Sequence, residues 1–253
     1  MAHPAVLELN KIEGRFFPKF DDWLSLMLAA FQRDDPTYLK VLERYGPRED
    51  GKPHPADHFA RALGAIMLEM QKDNETGVIR DHLGEIYETN GAAEREMAQF
   101  FTPMPLCELM ARMTIDDSAP EKASIADPAC GSGRLLLACI RLRPNGVFFG
   151  VDKDVTCAKM AALNMLWRNV NATIIWGDCL RVKASGGWMT AQTSLGGRVE
   201  AFDAARAQML LEGSINAFMA APQPPAAPAI TPDPKPDDVP PKEDKGGQFS
   251  MDL

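Results

Sequence analysis

The stretch "DPACGSGRLLLA", residues 127 to 138, joins a glycine-containing loop to the start of an amphipathic helix. Gly131 and Gly133 allow a tight turn and a close approach of the backbone to a ligand. The helix that follows would direct the N–H groups of its first turn towards that ligand. The stretch therefore predicts a loop that holds a nucleotide-like cofactor.

The sequence around this loop predicts an α/β fold. Three runs rich in β-branched and aromatic residues, "KASIADPA", "GVFFGVD" and "ATIIWGD", alternate with two amphipathic stretches, "GRLLLACIRLR" and "VTCAKMAALNMLWRNV". Such alternation is typical of a parallel sheet whose strands are joined by crossover helices. We expect a Rossmann-like core, in which ligands bind beyond the carboxyl ends of the strands.

Each of the three predicted strands ends in an aspartate, namely Asp127, Asp152 and Asp178. Asp152 suits the two hydroxyls of a ribose, because one carboxylate can accept from both. Asp178 is placed to accept from an adenine amino group, although both residues could instead be caps of exposed loops. The phosphate motifs GxxxxGK[ST] and GxGxxG are absent. An adenosine-bearing ligand with little phosphate, S-adenosylmethionine, fits this pattern best.

These motifs resemble those of the N6-adenine DNA methylases, in particular the modification subunits of type I restriction-modification systems. "DPACGSG" resembles motif I of that family, and "DHLGEIYE" (81–88) with "MAQFFTP" (97–103) resembles the segment leading into its GQF[FY]TP motif. The resemblance covers about residues 79 to 182 and departs from the family at Ala98, where a glycine is usual. It implies a truncated S-adenosylmethionine-dependent methyltransferase core.

The resemblance also implies which residues bind the cofactor. A turn covers its methionine end, the glycine loop forms the floor, Asp152 binds the ribose, and Asp178 with Cys179 binds the adenine. Asp127 joins this set because it ends the first strand at the loop. The cover comprises Gln99, Phe100, Phe101, Thr102 and Pro103, and the floor comprises Gly131, Ser132 and Gly133.

The acceptor half of such an enzyme is not recognisable. The family positions a flipped-out adenine with an [NDS]PP[FYW] loop after the fourth strand, and no such motif follows Asp178. The Pro-Pro of "PQPPAA" lacks both the polar and the aromatic residue, so the catalytic residues stay unassigned. "WMTAQTS" could be a short strand, in which Trp188 either stacks on a base or packs in the core.

The sequence further predicts one long helix from Gly197 to about residue 220. This helix, the N-terminal helices or a partner chain would cover an exposed edge of the shortened sheet. Residues 1–90 form a helical region, with helices at "DDWLSLMLAAF" and "ADHFARALGAIMLEMQ" separated by the loop "YGPREDGKPHP". Asp21 and Asp22 are suitable N-caps for the first of these helices.

The remaining organisation is a methyltransferase-like domain over residues 91–221 and a disordered, Pro-rich acidic tail over residues 222–253. The tail ends in "QFSMDL", in which Gln248, Met251 and Leu253 resemble the peptide that docks into the bacterial sliding clamp. The same residues could be an incidental apolar terminus. A tether of this kind would raise the effective concentration of the chain at DNA.

Composition limits the function classes. The net charge of −8 argues against a protein that holds nucleic acid by electrostatics alone, so we expect weak DNA binding. The five cysteines form no CxxC pair and the four histidines do not lie at ligand spacing, which favours reduced thiols and no metal. No apolar run approaches the roughly 18 residues of a membrane helix, and no signal pattern is present. We expect a cytoplasmic protein.

Two functional hypotheses follow from the sequence. The chain is an adenine-N6 DNA methyltransferase that acts alone or with a partner subunit completing its active site. Alternatively, it is an inactive relative that keeps the S-adenosylmethionine pocket within a DNA-associated complex. A methyltransferase with an acceptor other than a DNA base is a third, weaker possibility.

Overall fold

The computed structural model describes residues 2–91, 100–115, 118 and 120–220. Its helices are α1 (Pro4–Leu9), α2 (Phe16–Gln32), α3 (Asp35–Leu42), a short 3₁₀ turn (Glu43–Tyr45), α4 (Pro55–Glu75), α5 (His82–Gly91), α6 (Met104–Thr114), α7 (Arg134–Leu142), α8 (Val155–Trp167) and α9 (Ala204–Ala220). Its strands are β1 (Ser124–Asp127), β2 (Val147–Asp152), β3 (Asn171–Asp178), β4 (Lys183–Ala191) and β5 (Arg198–Phe202).

The five strands form one sheet in the order β1-β2-β3-β4-β5. The first three are parallel, whereas β4 and β5 are antiparallel to their neighbours. The predicted α/β class and the three predicted strands with their connecting helices are confirmed. Adjacent strand residues serve opposite faces: Ile174 belongs to the core with α7 and α8, and Ile175 to a second cluster with α9.

Helix α8 lies at the centre of the molecule and is buried on nearly all sides, as expected for a helix without a polar face. On one side it packs against the sheet, and on the other against α2. The largest cluster of buried side chains therefore extends without interruption from the N-terminal helices to β5. The helices of residues 2–91 share this core with the α/β part.

The predicted caps of α2 are wrong. The helix begins at Phe16, so Asp21 and Asp22 lie in its interior. Asp21 accepts from Lys159 Nζ at 2.8 Å, and Asp22 accepts from Tyr45 Oη at 2.8 Å. Tertiary partners, which a local capping rule cannot see, use these carboxylates.

The prediction of one helix from Gly197 to about residue 220 is also wrong in its first part. Residues 198–202 form β5, in which Val199 and Phe202 are buried, and α9 begins only at Ala204. Asp203 Oδ1 accepts from the Arg206 N–H at 2.9 Å and so helps to start α9. The predicted strand at "WMTAQTS" corresponds to the end of β4, which starts earlier, at Lys183.

The two edge strands of the sheet, β5 and β1, differ in what contacts them. At β5, Gln32 Oε1 of α2 accepts from the Ala201 N–H at 2.7 Å. At the other edge, β1 pairs with β2 alone among the described residues, and its Ser124 and Ala126 are exposed. Helix α9 packs against a face of the sheet at β4 and not along an edge. Of the elements expected to cover an edge, the N-terminal helices therefore reach that of β5, through α2.

Candidate functional site

The three strand-ending aspartates lie side by side at the carboxyl ends of the parallel strands. Strands β1, β2 and β3 are parallel and end at Asp127, Asp152 and Asp178, so their carboxyl ends point the same way. The strand-end placement expected from the sequence is therefore confirmed. Ligands of open α/β sheets bind beyond the carboxyl ends of the strands.

The loop after β1 is held against the end of β2. The Gly131 N–H donates to Asp152 Oδ2 at 2.8 Å, while Asp152 Oδ1 accepts from the Asp154 N–H at 2.8 Å. Gly131 has φ +54°, and a Cβ there would lie 2.8 Å from the Phe101 ring. The position needs glycine, because the aromatic ring rests directly on the backbone.

Two cavities flank this loop and meet at Ala129. The first, of about 220 Å³, is lined by five of the predicted site residues, Phe100, Phe101, Thr102, Asp127 and Gly131. The second, of about 270 Å³, is lined by three more of them, Asp152, Asp178 and Cys179. The two cavities therefore lie side by side at the carboxyl ends of the parallel strands.

The remaining predicted residues do not line either cavity. Ser132 is buried and its Oγ donates to Asp81 Oδ2 at 2.5 Å. Gly133 is the N-cap of α7 at φ +84° and packs against Ala161 of α8, and Pro103 is the N-cap of α6. Gln99 lies outside the described residues, as do Gln248, Met251 and Leu253, so these roles stay predictions.

Burial shapes the charge of the site. It raises the pKa of Asp152, against the opposing effect of the Asp154 and Gly131 N–H groups. It also raises the pKa of Asp127, to which the nearby charge of Asp152 adds. Each carboxylate would gain from donors on a ligand, because they restore the hydrogen bonds that water no longer supplies.

A buried network connects the loop to α5, and sequence reasoning missed it. Asp81 is fully buried and accepts from Arg134 Nε at 3.0 Å, Asn164 Nδ2 at 2.9 Å and the Gly84 N–H at 2.9 Å, besides Ser132. The signal was present in "DHLGEIYE", which opens and closes on an acid. The resemblance assigns no role to either acid.

Asp81 supports the glycine loop from behind and does not line the cavities. It bonds to the side chains of Ser132 and Arg134, on either side of the N-cap Gly133. Neither cavity is lined by Asp81. A satisfied buried network of this kind fixes the position of the segments that it joins.

Other candidate features have structural roles. Trp188 lies within β4 opposite Ile174 and packs against the main core, which supports core packing over base stacking. All five cysteines are free thiols. Over the described residues, no group of histidine, cysteine and acidic side chains is arranged to hold a metal ion, and no helix is long and apolar enough to cross a membrane.

Comparison with known proteins agrees with the motifs. Residues 78–195 match the family model described as N-6 DNA Methylase. The chain is similar to the type I restriction enzyme MjaVIII methylase subunit of Methanocaldococcus jannaschii, with 29% identity over 110 residues. The similar part is 40% of this chain and 18% of that protein, so the chain spans only a small part of this relative.

Solved structures give a weaker likeness. The methyltransferase subunit of a type I restriction-modification system from Streptococcus thermophilus is 20% identical, with a TM-score of 0.31, over 58% of this chain and 37% of that one. A class I S-adenosylmethionine-dependent methyltransferase from Listeria monocytogenes is 17% identical, with a TM-score of 0.34, over 68% and 49%. The resemblance seen in the motifs is confirmed by the match of residues 78–195 to the N-6 DNA Methylase family model.

Proposed function

We propose that the groove formed by the two cavities binds S-adenosylmethionine, and that the chain is the cofactor-binding part of an adenine-N6 DNA methyltransferase. The observation that carries this proposal is the placement of Asp127, Asp152 and Asp178 at the carboxyl ends of the parallel strands. They lie around two cavities that meet at Ala129. The N-6 DNA methylase match over residues 78–195 supports the reaction class.

In this arrangement the second cavity takes the adenosine. Asp152 accepts from the ribose hydroxyls and Asp178 from the adenine amino group, beside Cys179. The first cavity takes the amino-acid end, whose ammonium would lie near Asp127 under Phe101. The cofactor supplies an electrophilic methyl group, and the residues of this chain bind and orient it.

The acceptor base requires a second contribution. No [NDS]PP[FYW] motif occurs in the sequence. In doubly wound sheets the ligand lies where the strand order reverses, beside the first strand, but over the described residues β1 is an edge strand. A partner subunit that adds a strand to β1 would bring a loop to the first cavity, and this supports a partner completing the active site.

Methyl transfer tests this proposal. We expect no label on DNA adenine when the isolated chain is incubated with unmethylated DNA and tritiated S-adenosylmethionine. Addition of a chain that co-purifies with it and carries an acceptor motif should give label on adenine N6. Reproducible adenine label from the isolated chain would show that no partner is needed.

A second candidate function is favoured by the missing acceptor motif itself. An inactive relative would bind S-adenosylmethionine as a structural or regulatory ligand within a DNA-associated complex. It would give no label with any partner, yet bind the cofactor with ordinary affinity. Label that depends on a partner would exclude this function.

Cofactor affinity should depend on pH. Burial raises the pKa of Asp152 in the free chain, and hydrogen bonds from ribose hydroxyls would favour its charged form in the complex. Affinity is therefore full above the raised pKa and declines as the pH falls through it, by at most about tenfold per pH unit for one group. Calorimetry across mildly acidic pH measures this, and affinity that improves on acidification would contradict it.

Asp152→Asn is the matched control for the pH series. Asparagine keeps the shape of the side chain and does not titrate, so this contribution to the pH dependence should disappear. A remaining slope reports Asp127, whose pKa is raised as well.

A further inference from the structure

The side chain of Arg134, the first residue of α7, donates hydrogen bonds to three other residues of the chain. It is buried, and its Nε donates to Asp81 Oδ2 at 3.0 Å while Nη2 donates to Glu88 Oε2 at 2.9 Å. Nη1 donates to the Thr102 carbonyl at 3.3 Å, and the guanidinium lies 5.4 Å from the centre of the Phe101 ring. One side chain thus joins α5, α7 and the segment before α6.

The segment Phe100–Pro103, here called the pocket cover, lies over the first cavity. The Phe101 N–H donates to Glu88 Oε1 at 2.7 Å, and its ring packs against Tyr87 with centroids 5.4 Å apart. Phe100 is 78% exposed, so its ring adds little burial. Glu88 and Arg134 therefore attach the pocket cover to α5 and α7.

Helix stability does not explain an arginine at this position. A cation at a helix N-terminus opposes the helix dipole, and a buried ion pair often adds little net stability over an apolar replacement. The guanidinium already faces the two carboxylates of Asp81 and Glu88. Its charge is thus balanced within the protein, which suits a fixed support better than a ligand for another anion.

We propose that Arg134 is a positioning residue that holds the pocket cover on the amino-acid end of the cofactor. This inference rests on the proposed function for the identity of the ligand. Arg134 lines the first cavity and not the second. Its support should therefore matter for the methionine moiety and not for the adenosine.

A hydrogen-exchange experiment on the cofactor-free chain tests the support itself. In Arg134→Met, exchange of the Phe101 amide should accelerate by at least about tenfold, because the carboxylate of Glu88 loses the partner that holds it. The Gly131 amide, bonded to Asp152, should keep its exchange rate. Unchanged protection of Phe101, or equal acceleration at both amides, would overturn the inference.

A pair of ligands tests the functional consequence. Arg134→Met should raise the dissociation constant of S-adenosylmethionine by about tenfold or more, because a pocket cover without this support must be ordered when the ligand binds. The constant for 5′-methylthioadenosine, which lacks the amino-acid group, should change by less than about twofold. Equal weakening of both ligands would show a merely structural role and overturn the inference.

Three further variants complete the test. Arg134→Lys keeps the charge without the planar fork and should be intermediate. Glu88→Gln, which keeps the shape of the network, should show the same selective loss and serves if Arg134→Met does not fold. Arg141→Met removes an exposed arginine of α7 that pairs with Glu108 and should leave both affinities unchanged.

If wild type binds no S-adenosylmethionine, the proposed function fails, and hydrogen exchange alone decides the role of Arg134.

Discussion

Replacement of Asp152 by alanine is expected to weaken S-adenosylmethionine binding by about 100-fold or more. The carboxylate would accept from two ribose hydroxyls, and each hydrogen bond to a charged group contributes about 1.5–3 kcal/mol. The substitution also frees the Gly131 N–H, which holds the glycine loop against β2 at 2.8 Å. Calorimetry on wild type and variant measures the loss directly.

A matched control separates this effect from a general loss of charge. Glu200→Ala removes an exposed acid of β5, in the same sheet but outside both cavities, and should leave the affinity within about twofold of wild type. Asp152→Asn, which keeps one acceptor oxygen, should be intermediate. Unchanged affinity in Asp152→Ala would remove Asp152 from the site, and no binding by wild type would refute the proposed cofactor.

Asp81→Ala should cause the largest loss of stability among the acid-to-alanine substitutions proposed here, about 3–5 kcal/mol in the free energy of unfolding. The substitution leaves Arg134 buried with one carboxylate fewer. It also leaves Ser132 Oγ and Asn164 Nδ2 without the acceptor they share, although Asn164 keeps its bond to the Ser132 carbonyl. The midpoint of thermal unfolding should fall by about 10 °C, as scanning calorimetry can measure.

Two variants give the reference for this loss. Glu49→Ala breaks an exposed pair with Lys52, for which 0–1 kcal/mol is about the usual value. Asp81→Asn keeps an acceptor for the Gly84 N–H and should fall between alanine and wild type. A stability of Asp81→Ala within about 1 kcal/mol of wild type would mean that the network is not a structural support.

Much of the α/β core could be predicted because its signals are local. Alternating strand and helix patterns placed β1, β2 and β3, together with α7 and α8, within a few residues of their observed bounds. The errors occurred where a local rule competed with tertiary contacts. Asp21 and Asp22 have the chemistry of caps yet bind partners on other elements, and "RVEAF" forms a strand because β4 is beside it.

In the candidate site too, the residues with local signals could be predicted and those that depend on tertiary contacts could not. Phe101, Asp127, Gly131, Asp152 and Asp178 could be named from the sequence, since each lies within a recognisable motif or at a strand end. The buried residues that support this site could not be named in this way. Asp81 and Arg134 are 53 residues apart and Glu88 and Arg134 are 46 apart, and such pairs arise only when packing brings distant segments together.

The sequence by itself determined the glycine loop and the strand-ending acids, because glycine conformation and strand periodicity are properties of neighbouring residues. Only the tertiary structure decided that, within the part of the chain that it describes, β1 would be left at an edge, since strand order depends on which surfaces pack together. It also decided that one buried arginine would connect α5, the glycine loop and the pocket cover, because a buried charge is tolerated only where the fold supplies its partners.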